Sequence, residues 1–210
     1  MRLQGREISP TRASQLALRD EQNLIREGYE FLDEKRILLA QELLRQLHSF
    51  SALNERRRAA QKTAKAALVA ATMRHGLEEA TVYPPPLGTD LDTKVSQRNF
   101  LGVMLMEAEF TTQSSADDTA AQATFPSVEA TRCAEAFRTL IEIDVARAAI
   151  TTNLERLSRE YVTTERRARA LENVLLPEIG VAVKQIGEHL DVGEQEEALQ
   201  IRHAKGRQVL

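Results

Sequence analysis

The side chains that could do acid–base, nucleophilic or metal chemistry are few and scattered. His48, His75, His189 and His203 stand apart from one another, and none has metal-ligand spacing with another histidine or with Cys133. Each reads as a surface or interface side chain. Cys133 lies beside Ala134 on a predicted helix with no base partner evident, so it reads as a small packing residue rather than a nucleophile. A single cysteine cannot form an internal disulfide, which fits a reducing compartment. The sequence holds no G-x-x-x-x-G-K-[ST] loop and no G-x-G-x-x-G turn to cradle a phosphate. The expectation is therefore no catalytic, cofactor-binding or metal-binding residues, and no enzyme activity carried by this chain alone. Arg56-Arg57-Arg58 is the densest basic run. It reads as a solvated helix face or as a contact for an acidic partner surface. It could meet too few phosphates to serve a nucleic acid.

Composition fits that absence. The 210 residues include no Trp, only 4% aromatics and 28% charged residues, with a formal net charge of −3. Good helix formers without bulky aromatics indicate long helices rather than a compact core. A nucleic-acid binder would be basic overall or on one face. No stretch approaches the roughly 18 apolar residues of a membrane span, and Met1 to Glu7 contains no apolar signal core. A soluble protein is expected, with any membrane association indirect.

The elements follow from the spacing of apolar residues. Ser9-Pro10 reads as a helix start. Leu18, Ile25, Tyr29, Leu32, Leu39, Leu43, Phe50 and Leu53 then trace one helical stripe. A first helix from about Thr11 to about Arg74 follows. Leu16, Leu24, Phe31, Leu38 and Leu47 widen its apolar face, which implies that a third element packs on it. Tyr83-Pro84-Pro85-Pro86-Leu87-Gly88 cannot be helical. Phe100 to Met106 reads as a short buried strand, with Lys94 to Gln97 as a partner in a hairpin. Thr111 to Thr124 reads as a loop. A second helix begins near Ser127 and carries a stripe through Leu140, Ile143, Arg147, Ile150, Leu154, Leu157, Tyr161, Thr164, Ala168, Leu171 and Leu175. Pro177 should kink it. The stripe resumes at Ile179, Ala182, Ile186 and Leu190, and a polar tail from about Asp191 should fray unless a partner holds it.

Two long stripes on either side of a small insert can bury themselves only against each other. The expected fold is all-α dominated: a long antiparallel two-helix coiled coil with a hairpin-and-loop insert at the end opposite the termini. The expected parts are residues 1–80, the first helix; 81–126, the insert; and 127–210, the second helix with its tail. Spacings of seven and eleven mix along the first helix, so supercoil handedness stays open at this point.

Two segments resemble a known family. Pro10-Thr11-Arg12, followed by Gly28-Tyr29-Glu30-Phe31-Leu32-Asp33-Glu34-Lys35-Arg36, resembles the N-terminal helix of rotary ATPase D subunits, where P-T-R leads to G-x-x-L-L-x-x-K-R. Thr164 to Pro177, T-E-R-R-A-R-A-L-E-N-V-L-L-P, is similar to that family's T-x-R-R-V-N-A-L-E-x-V-x-I-P. Asn99 to Val103 resembles its N-x-x-G hairpin, with Met106 where a proline is usual, and Ile201 to Gly206 resembles its tail. Arg169, Ala168 and His203 depart from the family's usual Asn, Val and Arg.

The resemblance implies the D subunit of a V-type or A-type rotary ATPase or ATP synthase: the central stalk that transmits torque, without catalysing anything. It implies as partners a ring of catalytic A and B subunits, the small F subunit of the stalk, and a funnel-shaped subunit on the membrane rotor ring. It implies no cofactor, no nucleic acid, no direct membrane insertion, and a place on the cytoplasmic face of the membrane. Arg12, Arg166, Arg167, Glu172, Arg202 and Lys205 are the implied partner contacts. Leu171, Leu175, Pro177 and Gly28 are the implied structural residues: the first two in the seam, Pro177 setting a bend, Gly28 allowing close helix approach. A structural coiled-coil adaptor or chaperone-like scaffold is the alternative that composition and heptads leave open.

Overall fold

The computed structural model describes residues 2–3, 6–7, 9–79, 91–112 and 127–207. Tyr83 to Gly88 and most of the Thr111 to Thr124 segment, read above as non-helical and as a loop, lie outside the described residues. A minimal antiparallel pair, β1 (Arg2–Leu3) and β2 (Arg6–Glu7), precedes helix α1 (Arg12–Glu79). Then come β3 (Leu91–Phe100), β4 (Val103–Thr112), helix α2 (Val128–Ala170), a π-helical turn over Leu171–Leu175, and helix α3 (Leu176–Arg207). The chain forms two compact units, one of Met1–Leu38 with Tyr161–Leu210 and one of Leu39–Glu160. Both are helical pairs, and the second carries the hairpin.

Thr11, rather than Ser9, caps α1: its Oγ1 accepts from the Ser14 amide at 3.1 Å, which leaves Pro10 outside the first turn. Regular helix ends at Gly76, whose φ of 77° departs from helical geometry. Ser127 caps α2, its Oγ accepting from the Ala130 amide at 3.3 Å.

From Leu18 to Ala71 the positions of α1 that alternate in steps of four and three are all buried or half-buried, beginning Leu18, Gln22, Ile25, Tyr29, Leu32, Arg36, Leu39 and Leu43. That strict seven-residue repeat is the seam of a left-handed coil. The eleven-residue spacing arises because polar Gln22, Arg36 and Gln46 hold seam positions that an apolar stripe skips. In the first unit α1 runs antiparallel to its partner: Arg12 pairs with Glu194, Leu18 packs on Ala182 and Ile186, and Gly28 lies beside Leu171. In the second unit Arg147 lies over Phe50, Arg57 bonds Asp144, and His75 meets Ser127. Toward the end of α1 the seam becomes Ala60, Ala64, Ala67 and Ala71, side chains small enough for close helix approach.

Among the described residues no third element covers the widened face. Leu16, Leu24 and Phe31 are 64%, 68% and 65% exposed, and Leu38 and Leu47 are exposed as well. These residues point away from the seam, so intrachain pairing cannot reach them.

The second stripe contains one extra residue. Thr164, Ala168, Leu171 and Leu175 follow the three–four alternation, which would next select Glu178, Ala182, Gln185 and His189. Glu178, Gln185 and His189 are exposed, whereas Ile179 and Ile186, outside that series, are fully buried; Ala182 is buried in either phase. The π turn absorbs the difference: the Leu176 amide donates to the Leu171 carbonyl, one residue wider than an α-helical bond. Pro177 follows at once, lacking the amide that an α turn would use there. The interruption around Pro177 thus takes the form of a wide turn that re-phases the stripe, and helix continues to Arg207, past the point where fraying was expected.

The insert is a two-stranded hairpin paired from Leu91↔Thr112 to Phe100↔Val103. Its turn, Leu101-Gly102, has φ values of 51° and 90° and splits the Phe100 to Met106 run read above as one strand. Asn99 Oδ1 accepts from the Gly102 amide at 3.0 Å, which gives the N-x-x-G spacing its physical meaning. The turn end does not project past the helices of its unit; it lies back along them. Val103 and Leu105 are buried, and Met106 is held by Asn153 of α2.

The re-phasing predicts an unusual tolerance. Deleting Asn173 should convert the π turn to α-helix and bring Leu171, Leu176, Ile179, Val183, Ile186 and Leu190 into one unbroken three–four series. Thermal unfolding followed by circular dichroism should place the Asn173 deletion within a few degrees of the parent. Deletion of the exposed Arg159 should lower the midpoint by about 10 °C or more, because it pushes the seam out of phase. Equal losses for both deletions would refute this reading of the turn.

Candidate partner-contact surfaces

The family-like segment Thr164 to Pro177 divides its side chains between the seam and the exterior. Thr164 and Ala168 are buried, and Leu171 and Leu175 are half-buried along the seam. Arg166 and Arg167 are exposed, with no ion pair among the described residues. Arg169 is occupied, pairing with Glu165 one turn back at 2.6 Å. Glu172 is exposed and lies near Tyr29 of α1; desolvation and then the Glu172 charge push Tyr29 above its ordinary pKa. Pro177 is exposed. A methyl added at Gly28 would sit 3.8 Å from Leu171 Cδ1, an ordinary contact, so packing does not demand glycine there.

The terminal contacts separate likewise. Arg12 makes an ion pair with Glu194, which ties the start of α1 to α3 and raises the guanidinium's pKa. Beyond the seam, every residue from Glu194 to Ala204 is exposed, Leu199, Ile201 and Arg202 among them. Lys205 lies in α3, and its side chain is outside the described residues. An isolated helix in water is marginal unless another surface takes its apolar side. The Arg56-Arg57-Arg58 run splits by geometry: Arg57 turns into the seam to Asp144 at 2.6 Å, Arg58 pairs with Glu55 at 2.9 Å, and Arg56 is exposed.

Sequence reading missed the polar contacts that fix the hairpin. Asn153, 2% exposed, accepts from the Met106 amide and donates to the Met106 carbonyl, each at 2.7 Å. Arg156 donates to the Met104 carbonyl at 2.7 Å. From the other helix, buried Glu42 approaches Arg98 of β3 at 3.5 Å. Arg45 chelates the same carboxylate at 2.7 and 2.5 Å, and Gln46 donates to it at 2.9 Å. The Arg45 bonds dominate, and against the opposing effect of burial they hold Glu42 below the usual carboxylate range. The available signal was a polar residue beside the seam: Asn153 adjoins Leu154 of the stripe and lies three residues after Ile150 and four before Leu157.

Two groups that could do chemistry, His75 and Cys133, are engaged structurally, and His48, His189 and His203 are exposed. His75 bonds Ser127 Oγ at 2.5 Å where α1 ends and α2 begins, and Ser127 is itself the helix cap. Cys133 is half-buried, and burial pushes its thiol up, away from the reactive thiolate. Among the described residues no group of three or more His, Cys, Asp or Glu could hold a metal ion.

Comparison with known proteins bears on what these surfaces meet. The family of ATP synthase D subunits matches residues 14–206. The chain is 32% identical over 203 residues to the D subunit of the A-type ATP synthase of Thermococcus sibiricus, covering 94% of this chain and 93% of that one. It is 26% identical over 202 residues to the D subunit of the V-type ATP synthase of Thermotoga neapolitana, covering 94% and 97%. The A-type D subunit of Haloquadratum walsbyi is 25% identical over 202 residues, covering 96% and 87%.

The Glu42 cluster makes a pH prediction. A carboxylate whose pKa is depressed on folding contributes stability above its unfolded pKa, roughly 4.3, and loses that contribution as pH falls through the folded value. Parent and Glu42→Gln should therefore differ in melting temperature near neutral pH and converge below about pH 4. Carboxyl-detected NMR should show Glu42 titrating below the ordinary range in the parent and moving up in Arg45→Ala. An unshifted Glu42, or a stability difference that grows on acidification, would contradict the assignment.

Proposed function

The chain belongs to the family of ATP synthase D subunits, and from that premise we propose that it is the central stalk of a rotary ATP synthase or ATPase. Membership across residues 14–206 favours this over the adaptor reading. In the proposed role the chain catalyses nothing. It carries torque between a ring of catalytic A and B subunits and the ion-translocating rotor ring, with the small F subunit and a funnel-shaped rotor subunit bound to it. No described helix is long and apolar enough to cross a membrane, which suits a peripheral subunit. We place it on the cytoplasmic face.

The observation that carries the proposal is the uncovered apolar face of α1. Leu16, Leu24 and Phe31 lie opposite the seam and are each more than half exposed. A helix stable through its seam alone would carry polar residues there. Exposed apolar side chains in that position suit a surrounding collar of other subunits. Around them lie Arg19, Asp20, Arg26 and Glu27, so each direction around the helix presents different chemistry. Three catalytic sites facing three such sides would receive different contacts, and differential binding is what biases one conformation over another. Arg166 and Arg167, exposed and unpaired among the described residues, are the proposed polar contacts to the ring, with Arg202 and Lys205 serving the tail. Arg12 and Glu172 are proposed to act mainly within the chain, through Glu194 and Tyr29.

The double substitution Leu24→Asp with Phe31→Asp tests this. Both side chains lie on the surface, so folding stability should change by about 1 kcal/mol or less. Co-expressed with the remaining subunits, the variant should keep its helical circular dichroism, while its recovery with the nucleotide-hydrolysing ring falls at least tenfold. Unchanged recovery would remove the main support for the proposal.

A further inference from the structure

We infer that the outer edge of β3 is a docking edge that accepts an extended acidic segment of a partner protein as a third strand. The inference stands on the geometry of the hairpin and not on the stalk reading.

The direction of the backbone groups follows from the opposite edge. Met106 gives both its amide and its carbonyl to Asn153, so it faces away from β3. Its cross-strand partner Gln97 must face away from β4 in the same sense. Alternation then turns the amides and carbonyls of Thr93, Val95, Gln97 and Asn99 outward, while those of Lys94, Ser96 and Arg98 enter the ladder. Among the described residues no backbone group pairs with this outward set. Every residue from Thr93 to Asn99 is exposed. The two edges of the hairpin are thus treated differently: α2 covers that of β4 with Asn153 and Arg156, and no described residue covers that of β3.

Exposed edges are normally blunted by proline, a bulge, a very short strand or charged side chains; of these β3 carries only the charges, which select against a like-charged strand. β3 is ten residues long, contains no proline, and pairs with β4 in unbroken register. Its only charged side chains from Thr93 to Asn99 are Lys94 and Arg98, both on one face. Glu107 and Glu109 lie one strand further in, on β4, and Arg98 also leans toward Glu42 at 3.5 Å. A strand laid beside β3 therefore meets cations first, and carboxylates directly opposite would be favoured. The same two cations disfavour a second copy of the chain. An antiparallel self-pairing centred on Ser96 would set Lys94 of one copy against Arg98 of the other.

The probe is a synthetic acetylated ten-residue peptide alternating valine and threonine with glutamate, compared with a twin carrying lysine for every glutamate. With the full chain, the acidic peptide should slow hydrogen exchange at the amides of Thr93, Val95, Gln97 and Asn99. It should add little at Ser96 and Arg98, and should bind at least tenfold more tightly than its twin. Val95→Pro removes an outward amide and leaves the ladder its bonds; it should abolish binding while Ser96 stays protected. Lys94→Glu should erase or reverse the preference between the twins, which decides the matter should the proline disturb the hairpin. The inference is overturned by any of three results: no new protection, equal affinity for both peptides, or concentration-dependent protection of the same amides without peptide.

Discussion

Burial of the three–four stripe of α1 against the returning helix holds the other features of this protein in place. Neither partner could persist alone, because long helices of this composition owe most of their stability to packing. Each fully buried Leu or Ile contributes about 1.5–3 kcal/mol by leaving water, and Leu18, Leu39, Leu157, Ile179 and Ile186 all do so. The seam also dictates what stays outside. A two-helix pair has one inner line, so Leu16, Leu24 and Phe31 are left exposed.

Polar groups placed in or beside the seam then specify register. Arg57 reaches Asp144, and Arg147 lies 5.6 Å from the Phe50 ring centre. Among the described residues Arg147 Nε is buried without a hydrogen-bond partner, while the guanidinium lies over the aromatic face and its Nη1 donates to Asp144 at 3.4 Å. Sliding one helix along the other by a turn would separate half-buried Arg57 from Asp144, whose charge-assisted hydrogen bond is worth more than a fully exposed salt bridge. Asn153 does the same for the hairpin, because only a side-chain amide can both donate to and accept from a single strand residue at that distance.

Periodicity made the helices legible, since burial along a seam and spacing along a sequence are the same information. The stripe residues read from sequence on both helices lie in the seam without exception. Three features were not legible. The seven-residue repeat of α1 was masked because polar Gln22, Arg36 and Gln46 occupy seam positions, so its apolar members alone show spacings of seven and eleven. The π turn leaves no composition signal; it shows only as two successive steps of four, Leu171 to Leu175 to Ile179, beside Pro177. The hairpin turn was hidden because Leu101 stands where Asn or Gly would be usual for a positive φ. Of the ten residues singled out on the family resemblance, Arg12 pairs with Glu194 inside the chain, and Arg166, Arg167, Glu172 and Arg202 are exposed. Contact with another protein of the complex cannot be read from one chain's spacing, because its energetics belong to two surfaces.

The proposed role joins these points. A seam stiff enough to fix register leaves an apolar outer face and charged neighbours for a surrounding ring to read, and reading them in turn is how rotation would couple to nucleotide chemistry. The measurement that tests this most directly is single-molecule rotation. The catalytic ring is immobilised and a bead is attached to an exposed cysteine introduced at Arg202 in a Cys133→Ala background. With ATP supplied, the account predicts unidirectional rotation of the bead in three steps per turn. A bead that stays fixed relative to the ring while ATP is hydrolysed would contradict it.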